Sequence, residues 1–236
     1  MAKIPFLFIH GAGGSSSKWR NIPPLLNEES AVYLDLPGHG KDRSSCPSTI
    51  EEYASVLSKD IQEDVIVVGH SMGGLIGLEL AAINENVKGV ILACSHYELP
   101  VHPSFLEKLS EGIFPNNFFH ASYSKNVDEE LLKEEREELE FMPLRTALSD
   151  FECCAKYKNG KEVLEQLNIP ILAVYGSEDR LIPKDSKENL LKQKQEAVTK
   201  TIEGSGHYVI LEKSELFIQE IVNFREKIQH QYQNTK

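Results

Sequence analysis

A serine stands between two glycines in the pentapeptide Gly69-His70-Ser71-Met72-Gly73, with the apolar run Val65-Ile66-Val67-Val68 before it and the helix-forming stretch Leu75 to Ile83 after it. Glycine at both ends lets a strand turn sharply into a helix, because neighbouring backbone can pass close to a central residue held in a strained conformation. A serine presented in this way carries its hydroxyl at the carboxyl end of the strand, where open parallel sheets bind ligands. The chemistry it supports is nucleophilic attack. A serine hydroxyl is a weak nucleophile near neutral pH, so it needs a base within hydrogen-bond reach and an acid that keeps the base in the right tautomer. The chain must therefore bring a histidine and a carboxylate to the same end of a sheet.

Short apolar runs rich in β-branched and aromatic residues recur at Phe6 to Ile9, Ala31 to Leu34, Val65 to Val68, Val90 to Ala93, Ile171 to Tyr175 and, more weakly, Thr199 to Ile202. They read as strands buried on both faces. Helical stretches lie around Lys18 to Leu26, Ile50 to Ile61, Met72 to Ile83 and Asp185 to Gln193, with a long one from Ser214 to about Gln229. Such alternation predicts an α/β fold with right-handed crossovers and a six-stranded, mainly parallel sheet covered by helices on both faces. The alternation stops between His96 and about Gly160. That segment, 96–160, reads as a helical cap inserted into one core domain made of 1–95 and 161–236. Pro100, Pro103 and Pro115 predict an irregular first part, and the acidic run Asp128 to Glu140 reads as a solvated helix face.

Two further loops leave from the strand ends that Ser71 shares. Gly176-Ser177-Glu178-Asp179-Arg180 follows the fifth strand, and Glu203-Gly204-Ser205-Gly206-His207 follows the last. They offer Glu178 or Asp179 as the acid and, by its place after the last strand, His207 as the base.

The order Ser71, Asp179, His207 resembles the α/β-hydrolase superfamily, whose members run nucleophile, acid, histidine along the chain. Further matches are His10-Gly11-Ala12-Gly13-Gly14 after the first strand, Asp35-Leu36-Pro37-Gly38-His39-Gly40 after the second, and Leu211-Glu212-Lys213 following Gly206-His207. The resemblance implies the α/β-hydrolase fold. It selects Asp179 over Glu178, through the Gly-x-x-Asp spacing from Gly176, and assigns the two oxyanion donors to the backbone amides of Ala12 and Met72. His10, His39 and His70 are structural in that reading. Only Met1 to Pro5 precede the first strand, where many relatives have a β-hairpin, so six strands are expected.

The cap supplies Phe105, Tyr123 and Phe151, and the candidate pocket residues Phe114, Phe118, Phe119, Phe141 and Met142; Trp19, a few residues past the oxyanion loop, is a further candidate. An apolar pocket of this kind suits a serine hydrolase for carboxylic esters with small or medium acyl groups, working through an acyl-enzyme on Ser71. A carbon-carbon bond hydrolase or lyase is the alternative, with Arg136 or Arg145 gripping an acidic substrate. A thioesterase, or a noncatalytic ligand-binding module, completes the field.

Composition narrows the partners. A net charge of -11 over 236 residues argues against nucleic acid and anionic membrane, both of which reward clustered Lys and Arg. No apolar run approaches the roughly 20 residues of a spanning helix, and the expected location is the cytoplasm. The four cysteines form no CxxC pair and the eight histidines no HExxH motif, so neither metal nor cofactor is expected. The expected partner is a small-molecule ester, bound by a monomer or weak homodimer.

Overall fold

The computed structural model describes residues 3–26 and 31–234. Alternation along each strand decides its architecture. Phe6 and Phe8 of β1 (Phe6–Ile9) enter one hydrophobic core while Leu7 and Ile9 enter another; Ile66 and Val68 of β3 (Val65–His70) separate from Val67 in the same way. With β2 (Val32–Leu34), β4 (Val87–Ala93), β5 (Ile171–Gly176) and β6 (Val198–Ile202), they form one six-stranded sheet in the order β2-β1-β3-β4-β5-β6. Every neighbouring pair is parallel.

Helices cover both faces. On one lie α2 (Ile50–Ser58), α3 (Met72–Ile83), α8 (Gly160–Gln166) and α9 (Ser186–Gln193), which bury Tyr53, Leu75, Leu164 and Leu190. On the other a 3-10 turn (Ser16–Trp19), α1 (Ile22–Leu26), α10 (Val209–Glu212) and α11 (Ser214–Asn234) contribute Trp19, Ile22, Val209 and Phe217. The helix expected over Lys18 to Leu26 is thus divided. Pro23 and Pro24 have no amide to donate, so they begin a helix at Ile22 and do not continue one.

Between β4 and β5 the chain forms α4 (Pro103–Ser110), α5 (Asn116–Ala121), α6 (Glu129–Phe141) and α7 (Leu144–Lys156). Of the prolines expected to make its first part irregular, Pro100 lies in an irregular stretch as expected, whereas Pro103 is the first residue of α4 and Pro115 caps α5. The acidic run is also more than a solvated face. Glu135 of α6 is 2% exposed and takes Lys18 Nζ at 2.6 Å, Arg20 Nη1 at 2.9 Å and the Tyr123 hydroxyl at 2.8 Å. One acid among many exposed ones thereby ties the insertion to the turn after β1. No helix of the described residues is long and apolar enough to cross a membrane.

The sheet order places β1 and β3 side by side, with the chain leaving β1 for one edge and β3 for the other. The loops after these two strands diverge there, opening a crevice at the carboxyl ends. Glu135→Ala should cost about 1–3 kcal/mol, because it removes the acceptor of the buried Tyr123 hydroxyl and leaves Lys18 and Arg20 to Glu138 and Glu134 alone. Urea denaturation showing a loss below about 0.5 kcal/mol would mean that the junction is solvated.

Candidate active site

Ser71 sits between β3 and α3 with φ 50° and ψ -119°, one of two non-glycine residues of positive φ among those described. Its neighbours explain why glycine must flank it. A Cβ on Gly69 would lie 2.2 Å from the Gly73 carbonyl oxygen, and one on Gly73 would lie 2.3 Å from the Ile9 carbonyl oxygen. The Ser71 amide donates to Ala93 O at 3.0 Å, and the Ser95 hydroxyl donates to Ser71 O at 2.7 Å. The strained residue is therefore held on both sides, by the last residue of β4 and by the loop that follows it.

Asp179 and His207 meet across the ends of β5 and β6. His207 Nδ1 donates to Asp179 Oδ2 at 2.9 Å, and Asp179 Oδ1 accepts the Leu181 amide at 2.8 Å. Burial disfavours the Asp179 charge, yet His207 and these hydrogen bonds hold its pKa below the ordinary aspartate value. Glu178, the neighbouring acid, points elsewhere and accepts the Lys125 amide at 2.8 Å. The His207 backbone is clamped as well: its amide donates to Ser122 O at 2.9 Å, and its carbonyl accepts from His70 Nε2 at 3.0 Å. Burial, and then the nearby His207, push the His70 pKa down to about 3, so His70 is a neutral clamp. Cys94, Asp179 and His207 are the only trio of possible metal-ligating atoms within 4.8 Å among the described residues. The Asp179 and His207 atoms are already committed to each other, and the Cys94 thiol donates to Gly206 O at 3.6 Å.

The loop after β1 is locked to the loop after β2. His10 Nε2 accepts the Leu36 amide at 3.1 Å while Nδ1 donates to Gly11 O at 2.8 Å, and burial and a charged His39 lower its pKa to about 4. His39 is the opposite case. Its Nδ1 donates to Pro37 O at 3.0 Å and its Nε2 donates to Asp150 Oδ2 at 2.8 Å, so both ring nitrogens carry protons. Burial opposes that charge, but the Asp150 carboxylate outweighs it and raises the His39 pKa.

Ser71 and His207 open into a cavity of about 220 Å³ whose other walls are mainly apolar, including Leu99, Val101, Phe105, Phe118, Phe151 and Leu181. A second cavity of about 410 Å³ adjoins it through Ala12, Phe118, Ser122, Phe151 and Tyr208. Of the residues proposed from sequence, Phe114, Phe118, Phe119, Phe141 and Met142 line the larger space, and Phe118 alone also borders Ser71. Phe141 is 84% exposed and forms only its rim. Trp19 lines neither. It is fully buried against Phe8, Phe217 and His70, because the 3-10 turn faces the sheet. Arg136 and Arg145 also lie outside both cavities; Arg136 bonds Asn116 and His120 and covers the Phe119 ring at 4.5 Å. The sequence reading missed Arg180, which borders Ser71's cavity, and Asp150, whose partners lie far away in the chain.

Comparison with known proteins gives the same family as the geometry. The model of the alpha/beta hydrolase family matches residues 6–220. An uncharacterized hydrolase of Bacillus subtilis, YugF, is 26% identical over 92% of this chain and 88% of its own. The pimeloyl-[acyl-carrier protein] methyl ester esterase of Neisseria meningitidis is 24% identical over 89% of this chain and 88% of its own. A lipase-esterase related protein from Clostridium acetobutylicum superposes with a TM-score of 0.83, at 23% identity over 93% of each chain.

Gly73→Ala should destabilise the fold by about 1–3 kcal/mol, since the added methyl meets backbone that has nowhere to move; an unchanged denaturation midpoint would contradict the close approach. A histidine with a raised folded pKa contributes stability fully below about pH 6.5 and loses it as pH rises through the folded value. The melting-temperature deficit of His39→Gln should therefore be largest near pH 6 and shrink toward about pH 9; equal deficits at both would remove the charge from His39.

Proposed function

The chain belongs to the alpha/beta hydrolase family, and on that premise we propose that it is a serine carboxylic ester hydrolase acting on free esters with small or medium apolar acyl groups. The observation that carries this reading is the bond of His207 Nδ1 to buried Asp179 in the wall of the cavity that Ser71 enters. With Nδ1 occupied, Nε2 is the nitrogen left to take a proton. In the proposed mechanism His207 Nε2 removes the Ser71 proton as the hydroxyl attacks the ester carbonyl, then delivers it to the departing alcohol. Water, activated by the same nitrogen, hydrolyses the acyl-enzyme. Asp179 orients His207 and stabilises the imidazolium.

The oxyanion donors in this mechanism are the amides of Ala12 and Met72. Met72 is the first residue of α3, where an N–H has no intrahelical acceptor. The segment 96–160 serves as the cap that closes the site, through Phe105, Phe118 and Phe151. The 220 Å³ cavity holds about seven water-sized groups, which suits a short acyl chain. The carbon-carbon alternative needs a cation facing the substrate. Arg180 is engaged by the carbonyls of His120 and Tyr123 at 3.0 and 2.8 Å.

A series of aryl esters should give the highest kcat/KM at acyl chains up to about six carbons and a decline at longer ones. Ser71→Ala should lower kcat by roughly 10⁶-fold, and acyl-thioesters assayed alongside separate a thioesterase. Folded wild-type protein that turns over no ester would end this reading.

A further inference from the structure

The loop that offers the Ala12 amide is not held by the core alone. Gly11 to Gly14 closes on a bond of 3.1 Å from the Gly14 amide to Gly11 O, and Gly13 takes a φ of +65°. Its Gly13 amide turns outward from this closure to Asp150 of α7, which accepts it on Oδ2 at 2.8 Å. That carboxylate is fully buried and carries two more donors, His39 Nε2 at 2.8 Å on the same oxygen and the Tyr53 hydroxyl at 2.9 Å on Oδ1. Ala147, one turn earlier on α7, packs against the same loop so closely that a Cβ on Gly13 would lie 3.0 Å from its own.

We propose that Asp150 is a positioning residue for the oxyanion hole, acting through the Gly13 amide. Ala12 and Gly13 present successive N–H groups in a turn whose second member is a glycine with wide backbone freedom. An ionised acceptor in a dry site makes a strong hydrogen bond with one of them. With the Gly13 amide occupied, the shared turn is fixed and the Ala12 amide keeps its direction toward the substrate carbonyl. Tyr53 on α2 and His39 after β2 hold the carboxylate in turn, so the hole is complete only while α7 is docked. The inference rests on the ester-hydrolase reading for its catalytic consequence, and its geometry can be read without it.

The test is Asp150→Asn, which keeps the side-chain volume and removes the charge. Against an aryl ester kcat should fall roughly ten- to a hundredfold while KM stays within about threefold, because a displaced oxyanion donor weakens the transition state more than the ground state. An arylboronic acid, captured by Ser71 as a tetrahedral adduct, should lose affinity by the same factor as kcat/KM. The Gly13 amide proton should resonate far downfield in wild type and move upfield in the variant. A lowered melting temperature with kcat and boronate affinity unchanged would overturn the proposal. If the wild type cleaves no ester, the ester reading fails by itself, and boronate affinity with the Gly13 resonance still decides this one. If Asp150→Asn does not fold, Tyr53→Phe removes a single donor to the carboxylate; a several-fold drop in kcat matched by boronate affinity supports the proposal, and a change in melting temperature alone overturns it.

Discussion

The left-handed backbone of Ser71 is the constraint on which the rest of the structure depends. A serine at φ 50° costs on the order of 1–3 kcal/mol and persists only where its surroundings leave no alternative. Here those surroundings are the sheet itself. The end of β3 is bonded to β4 on one flank, and α3 must turn away over β1 with only the width of a glycine between Gly73 and the Ile9 carbonyl. Moving the serine to an ordinary conformation would require opening the central strands. The strain thus presents the hydroxyl at the point where the chain order reverses, and the loops of the neighbouring strands have to arrive there too.

Those loops are aligned by histidines in contrasting electrical states. His10 and His70 are buried without an adjacent carboxylate bond and are neutral; His10 joins two backbone groups, and His70 holds the His207 carbonyl. His39 faces Asp150 and is charged, while His207 faces Asp179 and keeps one nitrogen for the cavity. The difference lies in the partner. Desolvation alone removes the proton, and a buried acid at hydrogen-bond distance restores it. Of the two carboxylates, Asp150 on α7 makes an ionic partner of His39, whereas Asp179 on the β5 loop binds only the Nδ1 of His207.

Much of this was legible in the sequence wherever the cause is local. Continuous apolar runs gave six strands within a few residues of their observed ends, and glycine spacing around Ser71, Gly11 and Gly206 marked the three loops that converge. The misreadings share a different cause. Asp150 and Gly13 are separated by 137 residues, and nothing near Asp150 in the chain distinguishes it from a surface aspartate on an amphipathic helix. Glu135 is one glutamate in an acidic run until the turn after β1 delivers Lys18 and Arg20 to it. Trp19 reads as a pocket residue from its nearness to the oxyanion loop in sequence, yet the following prolines restart the helix and turn the indole to the sheet.

The long-range contacts come from both the core and the insertion. Contacts made within the core bring Ser71, Asp179 and His207 together, since each follows the end of a bonded strand. Contacts made by the insertion add to these: Ser122 on the His207 amide, Asp150 on the loop of Ala12, Glu135 on the turn that follows it, and Phe118 and Phe151 on the wall shared by both cavities. An insertion that merely covered the site could change its sequence freely while the chemistry stayed intact. This one holds the loop after β1 through buried charges at two places, so its packing reaches the backbone beside Ser71 as well as the volume above it. The walls of the cavities and the placement of the Ala12 loop are thereby coupled through the same helices, α6 and α7.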